Sequence, residues 1–75
     1  MNREMRNRLR GKIIELYGSQ QEFSSVIGRS QQTITAKLAG RSKFSQDDIV
    51  DWSNALHLTE SQVGEYFFAS ELQKN

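Results

Sequence analysis

The sequence has no cysteine, no proline and a single histidine, His57. Without cysteine there is neither a disulfide framework nor a thiolate metal site. With no second histidine or cysteine to join it, His57 reads as a terminal or partly packed residue, not a ligand. The lack of proline, together with scarce strand-like alternation, points to an all-α domain. No apolar run approaches membrane-spanning length, and the charged N-terminus is not followed by an apolar stretch. Neither a membrane span nor a signal peptide is therefore expected. No nucleophile is paired with a base, and no Gly-rich loop precedes a phosphate-binding helix, so the chain reads as a non-enzyme without cofactor or metal. Its 75 residues suffice for one domain, near the size at which a single core gives marginal stability.

What is present is a segregation of charge that the net value of +1 conceals. Residues 1–43 carry nine Lys/Arg against Glu4, Glu15 and Glu22, a balance of +6, whereas residues 44–75 carry Lys74 against six acids, a balance of −5. Asymmetry of this kind suggests a polyanion partner on one side of the molecule.

The basic half contains the stretch Ser19–Leu38, SQQEFSSVIGRSQQTITAKL. Ser19 with Glu22 has capping-box spacing, so a helix is expected from about Gln20, with Phe23, Val26 and Ile27 on its apolar face. Gly28 ends it by taking the left-handed conformation. Ser30 caps a second helix over residues 31–39, with Ile34 and Leu38 inward and Ala39-Gly40 as its stop. Two helices this short cannot persist alone and must pack on the rest of the domain. A short turn containing Gly between two such helices is how a helix-turn-helix is built, and its second helix is the one offered to the DNA major groove.

The flanking segments complete a five-helix pattern. The first helix spans residues 2–17 with Met5, Leu9, Ile13 and Leu16 as one stripe and Tyr17 beside it; Arg3, Arg6, Arg10 and Lys12 lie off that stripe. A fourth helix starts at the Ser45 cap, with Ile49, Trp52, Ser53 and Leu56 inward. Asp47, Asp48 and Asp51 are read there as helix-dipole charges on a solvated face. Thr59 with Gln62 opens a fifth helix through Val63, Tyr66 and Phe67, in which Gly64 permits a close helix approach. The run Tyr66-Phe67-Phe68 is more aromatic surface than one face buries. At least one ring is expected at the domain edge, and the cluster reads either as the bottom of the core or as an apolar patch for a partner. The domain is placed at residues 1–68, with 69–75 as a fraying helix end and tail.

Gln20, Phe23, Ile27, Gly28, Ile34 and Leu38 fall where the Cro/repressor helix-turn-helix family of temperate phages places matching residues. The run Ser30-Gln31-Gln32-Thr33-Ile34 resembles the start of a lambdoid repressor recognition helix. Lys37-Leu38-Ala39-Gly40-Arg41, then Phe44, Ile49, Leu56, Leu58 and Tyr66-Phe67-Phe68, resemble a group of small Cro-like regulators from phages and prophages of Gram-positive bacteria. The likeness covers roughly Leu9 to Phe68. Two positions depart from it: Ser24 stands where Ala is usual, and Arg29 where an apolar residue follows the Gly. Arg29 therefore either weakens the core near the turn or points outward.

The resemblance implies a compact lambda-repressor-like fold and a transcriptional regulator acting in the cytoplasm of a bacterial host. Ser30, Gln31, Gln32, Thr35 and Ala36 then face base edges, where glutamine can pair bidentately with adenine. Gln20, as its family counterpart does, contacts phosphate, and Arg10, Lys37, Arg41 and Lys43 are candidates for the same role. The partners implied are operator DNA, bound by a possible homodimer. A second reading is an antirepressor that silences a phage repressor by forming a heterodimer, with Tyr66, Phe67 and Phe68 as interface candidates. A purely structural module is a third.

Overall fold

Every helix in the chain opens at a side chain that satisfies its first backbone N–H groups. A computed structural model describes the backbone of residues 2–73 and the side chains of residues 2–68. The five helices are α1 (Arg3–Tyr17), α2 (Gln20–Ile27), α3 (Gln31–Leu38), α4 (Gln46–Ala55) and α5 (Glu60–Gln73). Asn2 caps α1, Ser19 caps α2 and Ser30 caps α3, each accepting from the N–H three residues on. Ser45 and Asp48 form a reciprocal capping box at α4, and Thr59 and Gln62 form another at α5. No strand occurs among the described residues, so the architecture is an all-helical, five-helix domain. Among the described residues, no helix is long and apolar enough to cross a membrane.

The helix ends follow the same economy. At Gly28 and Gly40, both left-handed, paired backbone bonds close α2 and α3: Arg29 N–H to Ser24 O and Gly28 N–H to Ser25 O, then Arg41 N–H to Ala36 O and Gly40 N–H to Lys37 O. At the end of α4 the same motif is built on His57, whose φ is 56°, with His57 N–H on Asn54 O and Leu58 N–H on Ser53 O.

Each helix sends its apolar face inward: Leu9 and Ile13 from α1, Phe23 from α2, Ile34 and Leu38 from α3, Trp52 and Leu56 from α4, Tyr66 and Phe67 from α5. A line of rings threads this core. Tyr17 meets Phe23 at 5.6 Å between centroids, Phe23 meets Trp52 at 4.9 Å, Trp52 meets Phe44 at 4.8 Å and Phe44 meets Phe67 at 5.1 Å. The last three contacts are edge-on, the arrangement that sets a ring's positive edge against its neighbour's face.

Three expectations are corrected. Val26 is exposed, because burial of Ser24 rotates the inner face of α2 onto Phe23, Ser24 and Ile27, roughly a third of a turn away from Val26. Leu16 is exposed as well: Tyr17 takes the inner place at the end of α1, meeting the Phe23 ring at a tilt and donating its hydroxyl to Ala55 O. Gly64 has open space where a Cβ would sit, so no close helix approach depends on it. Arg29 turns outward, and Ser24, whose hydroxyl donates to Gln21 O, fits the core.

Candidate functional site

The turn Gly28–Ser30 directs α3 so that one face packs inward through Ile34 and Leu38 while the opposite face stays in solvent. On that outer face Ser30, Gln31, Gln32 and Thr35 are exposed and Ala36 is half-buried. The Ser30 hydroxyl is engaged at the helix start, accepting from Thr33 N–H and sharing a hydrogen bond with the Thr33 hydroxyl. Gln20, the first residue of α2, lies beside α3: its Oε1 accepts from the Thr35 hydroxyl at 3.4 Å. The amide nitrogen of Gln20 stays available on the same side as Thr35, since an amide carries donors as well as an acceptor.

The five basic or polar residues expected at phosphates divide into two groups. Gln20 lies against Thr35 of α3, while Arg41 and Lys43 follow α3 in the loop before α4, exposed and with neither side-chain hydrogen bond nor ion pair among the described residues. Lys37 and Arg10, also expected at phosphates, are engaged within the domain. Lys37 is only 7% exposed. Its ammonium lies 2.7 Å from Asp48 Oδ2, donates to Lys43 O at 2.8 Å and Ser42 Oγ at 3.4 Å, and sits over the Phe44 ring. Arg10 donates to Leu38 O at 3.0 Å and to Asn7 Oδ1, thereby capping a carbonyl at the end of α3 from α1.

Asp48 is likewise buried and does not lie on a solvated face as expected. Burial alone would push its carboxyl up. The hydrogen bonds from Lys37 and Ser45 and the charge of Lys37 outweigh that and hold it below the usual carboxylate range. Asp51 pairs with Arg29 at 2.9 Å, and Arg29 Nε reaches Asp48 Oδ1 at 4.0 Å. The three aspartates do not gather: no group of three potential metal ligands forms among the described residues. The Ser45-x-x-Asp48 spacing was the available signal that Asp48 turns back toward the α4 cap; nothing local marks Lys37 as its partner.

Of the aromatic candidates, Tyr66 and Phe67 belong to the core and Phe68 is the ring at the edge, 37% exposed. Arg8 covers Tyr66 from outside, its guanidinium 5.2 Å from the ring centroid and paired with Glu65 at 2.5 Å. Phe68 borders a groove of about 390 Å³ whose lining includes Arg6, Lys43, Phe44, Ile49 and Phe67.

No curated protein matches the chain significantly. The family described as a protein of unknown function, DUF739, matches residues 5–70, nearly the whole of the five-helix domain. On that match the chain belongs to the DUF739 family.

Proposed function

We propose that this protein is a sequence-specific DNA-binding regulator of the Cro-like kind, with α2 and α3 acting as a helix-turn-helix in a lambda-repressor-like domain. The observation that carries the reading is the composition of one surface. An exposed, uncharged polar face on α3, made by Ser30, Gln31, Gln32 and Thr35, is followed in the next loop by the exposed cations Arg41 and Lys43, whose side chains have no partner among the described residues. A major groove presents base edges between two rows of phosphates, and uncharged amides and hydroxyls suit the first as cations suit the second. Gln31 and Gln32 read bases, with adenine N6 and N7 the matching pattern. Thr35 and the Ala36 methyl lie one turn further along, where a thymine methyl can be met. Gln20, Arg41 and Lys43 hold phosphates. The setting is the cytoplasm of a bacterial host, and the partner is operator DNA.

A protein-partner reading has one observation of its own, the exposed Phe68 beside its groove. On that reading the chain is an antirepressor and a phage repressor is its heterodimer partner.

The test is selection from a randomised duplex pool followed by titration of the enriched site. Gln32→Ala should cost about 1–3 kcal/mol on that site and relax the choice at one or two base pairs, with affinity for random duplex nearly unchanged. Lys43→Ala should weaken both and reduce the salt slope by about one unit. Failure to enrich any site at moderate salt rejects the proposal. Tight binding to a repressor, disrupted by Phe68→Ser in a protein that stays folded, selects the protein-partner reading instead.

A further inference from the structure

We infer that α4 sets the pose of α3, with Asp48 as a positioning residue for a DNA contact that it never touches; the role in DNA binding rests on the reading proposed above. An eight-residue helix does not hold its own place, and the apolar contacts of α3 come from one face, chiefly Ile34 and Leu38. That face packs on α2 and α1, and the two ends of α3 are in addition tied to α4 by charge. Arg29 immediately precedes the Ser30 cap and is held by Asp51 at 2.9 Å, with Asp48 Oδ1 at 4.0 Å. Lys37 stands in the last turn and meets Asp48 Oδ2 at 2.7 Å. One carboxylate therefore reaches toward both ends of α3, and it is fixed in turn by Ser45 N–H at the α4 cap.

The same ammonium also orders the loop after α3. Lys37 has three protons, and its acceptors are Asp48, Lys43 O and Ser42 Oγ. The backbone that carries Arg41 and Lys43 is thus pinned by a residue whose own place depends on Asp48. A buried ion pair contributes little net stability compared with an apolar pair of the same volume, but removing one partner leaves the other charge buried and unpaired. The exposed Arg29–Asp51 pair is screened by solvent and counts for less. Arg10 adds a tie from α1 at Leu38 O, so loss of Asp48 should loosen the α3 end and its loop without releasing the helix.

The experiment compares wild type, Asp48→Asn and the double variant Lys37→Met/Asp48→Asn, which removes both charges and keeps an acceptor for Ser45 N–H. Amide hydrogen exchange is followed at Arg41 and Ser42, both bonded to Ala36 O, against Leu9 and Ile13 in α1 as reporters of global stability. Arg41 and Ser42 in Asp48→Asn should exchange at least about tenfold faster beyond any change in α1. The double variant should regain part of the lost melting temperature while its loop amides stay fast. On enriched duplex, both variants should bind about tenfold more weakly with a salt slope smaller by about one unit. If Asp48→Asn does not fold, the double variant carries the same measurements. Equal acceleration at loop and α1 amides overturns the inference, as does wild-type affinity and slope in a folded variant. If the loop loosens selectively but wild type binds no duplex, α4 still positions α3 and the DNA-binding reading falls.

Discussion

Trp52 touches more of the molecule than its place on one helix suggests. Its ring is fully buried between Phe23 of α2 and Phe44 of the loop before α4, and Phe44 passes the contact to Phe67 of α5. Truncation to Ala removes the middle of that line and leaves a cavity that rigid neighbours close only in part, at a cost of about 3–5 kcal/mol. A domain of this size has only about 4–11 kcal/mol to lose. Trp52→Ala should therefore melt on the order of 15 °C or more below wild type by circular dichroism. A midpoint within a couple of degrees would mean that the ring is not core. The inward place of Trp52 is legible from the Ile49–Leu56 spacing, since burial of a large apolar side chain follows from the helix period alone. Lys37 and Asp48 are the opposite case. Charge predicts exposure for both, and only the tertiary arrangement of the helices, spanned by the long Lys37 side chain, brings them to 2.7 Å.

At the scale of elements, the helix starts were legible because capping is local: Ser19, Ser30, Ser45 and Thr59 each announce a helix within four residues of sequence. The orientation of each helix was less so. Phe23 and Ile27 leave open which neighbouring column is buried, and the choice of Ser24 over Val26 is made by packing. The end of α4 is legible in place, at the terminal His57, but not in form, since no glycine marks it. His57 occupies the left-handed position that Gly28 and Gly40 fill elsewhere. A side chain with a Cβ is strained there by about 1–2 kcal/mol, whereas glycine is not strained but loses more freedom on folding. His57→Gly should therefore raise stability by roughly 0.5–1 kcal/mol, an upward shift of a few degrees in melting temperature. A lower midpoint would show that the imidazole contributes contacts that outweigh the strain.

Across the whole molecule, the basic and acidic halves of the sequence are stitched together. Arg8 pairs with Glu65, Arg29 with Asp51 and Lys37 with Asp48, each joining a cation from residues 1–43 to an acid from residues 44–75. The charge asymmetry visible in sequence therefore overstates what is free to meet a polyanion. With Arg10 turned onto Leu38 O, the cations of the loop after α3, Arg41 and Lys43, are those proposed for phosphate that have no side-chain partner among the described residues. Each phosphate neutralised on duplex DNA contributes about −0.9 to the slope of log K against log salt. One copy engaging these two cations should give a slope of about −2, and two copies on one site about −4. If instead all nine basic residues of the first half were released to phosphates, a single copy would approach −8. Anisotropy titrations between low and moderate salt distinguish these values. A slope near −2 per copy, abolished in Arg41→Ala/Lys43→Ala, shows that the internal ion pairs persist on DNA. A slope near −8 per copy shows that they break, and the Lys37–Asp48 tie cannot then be what holds α3 in place.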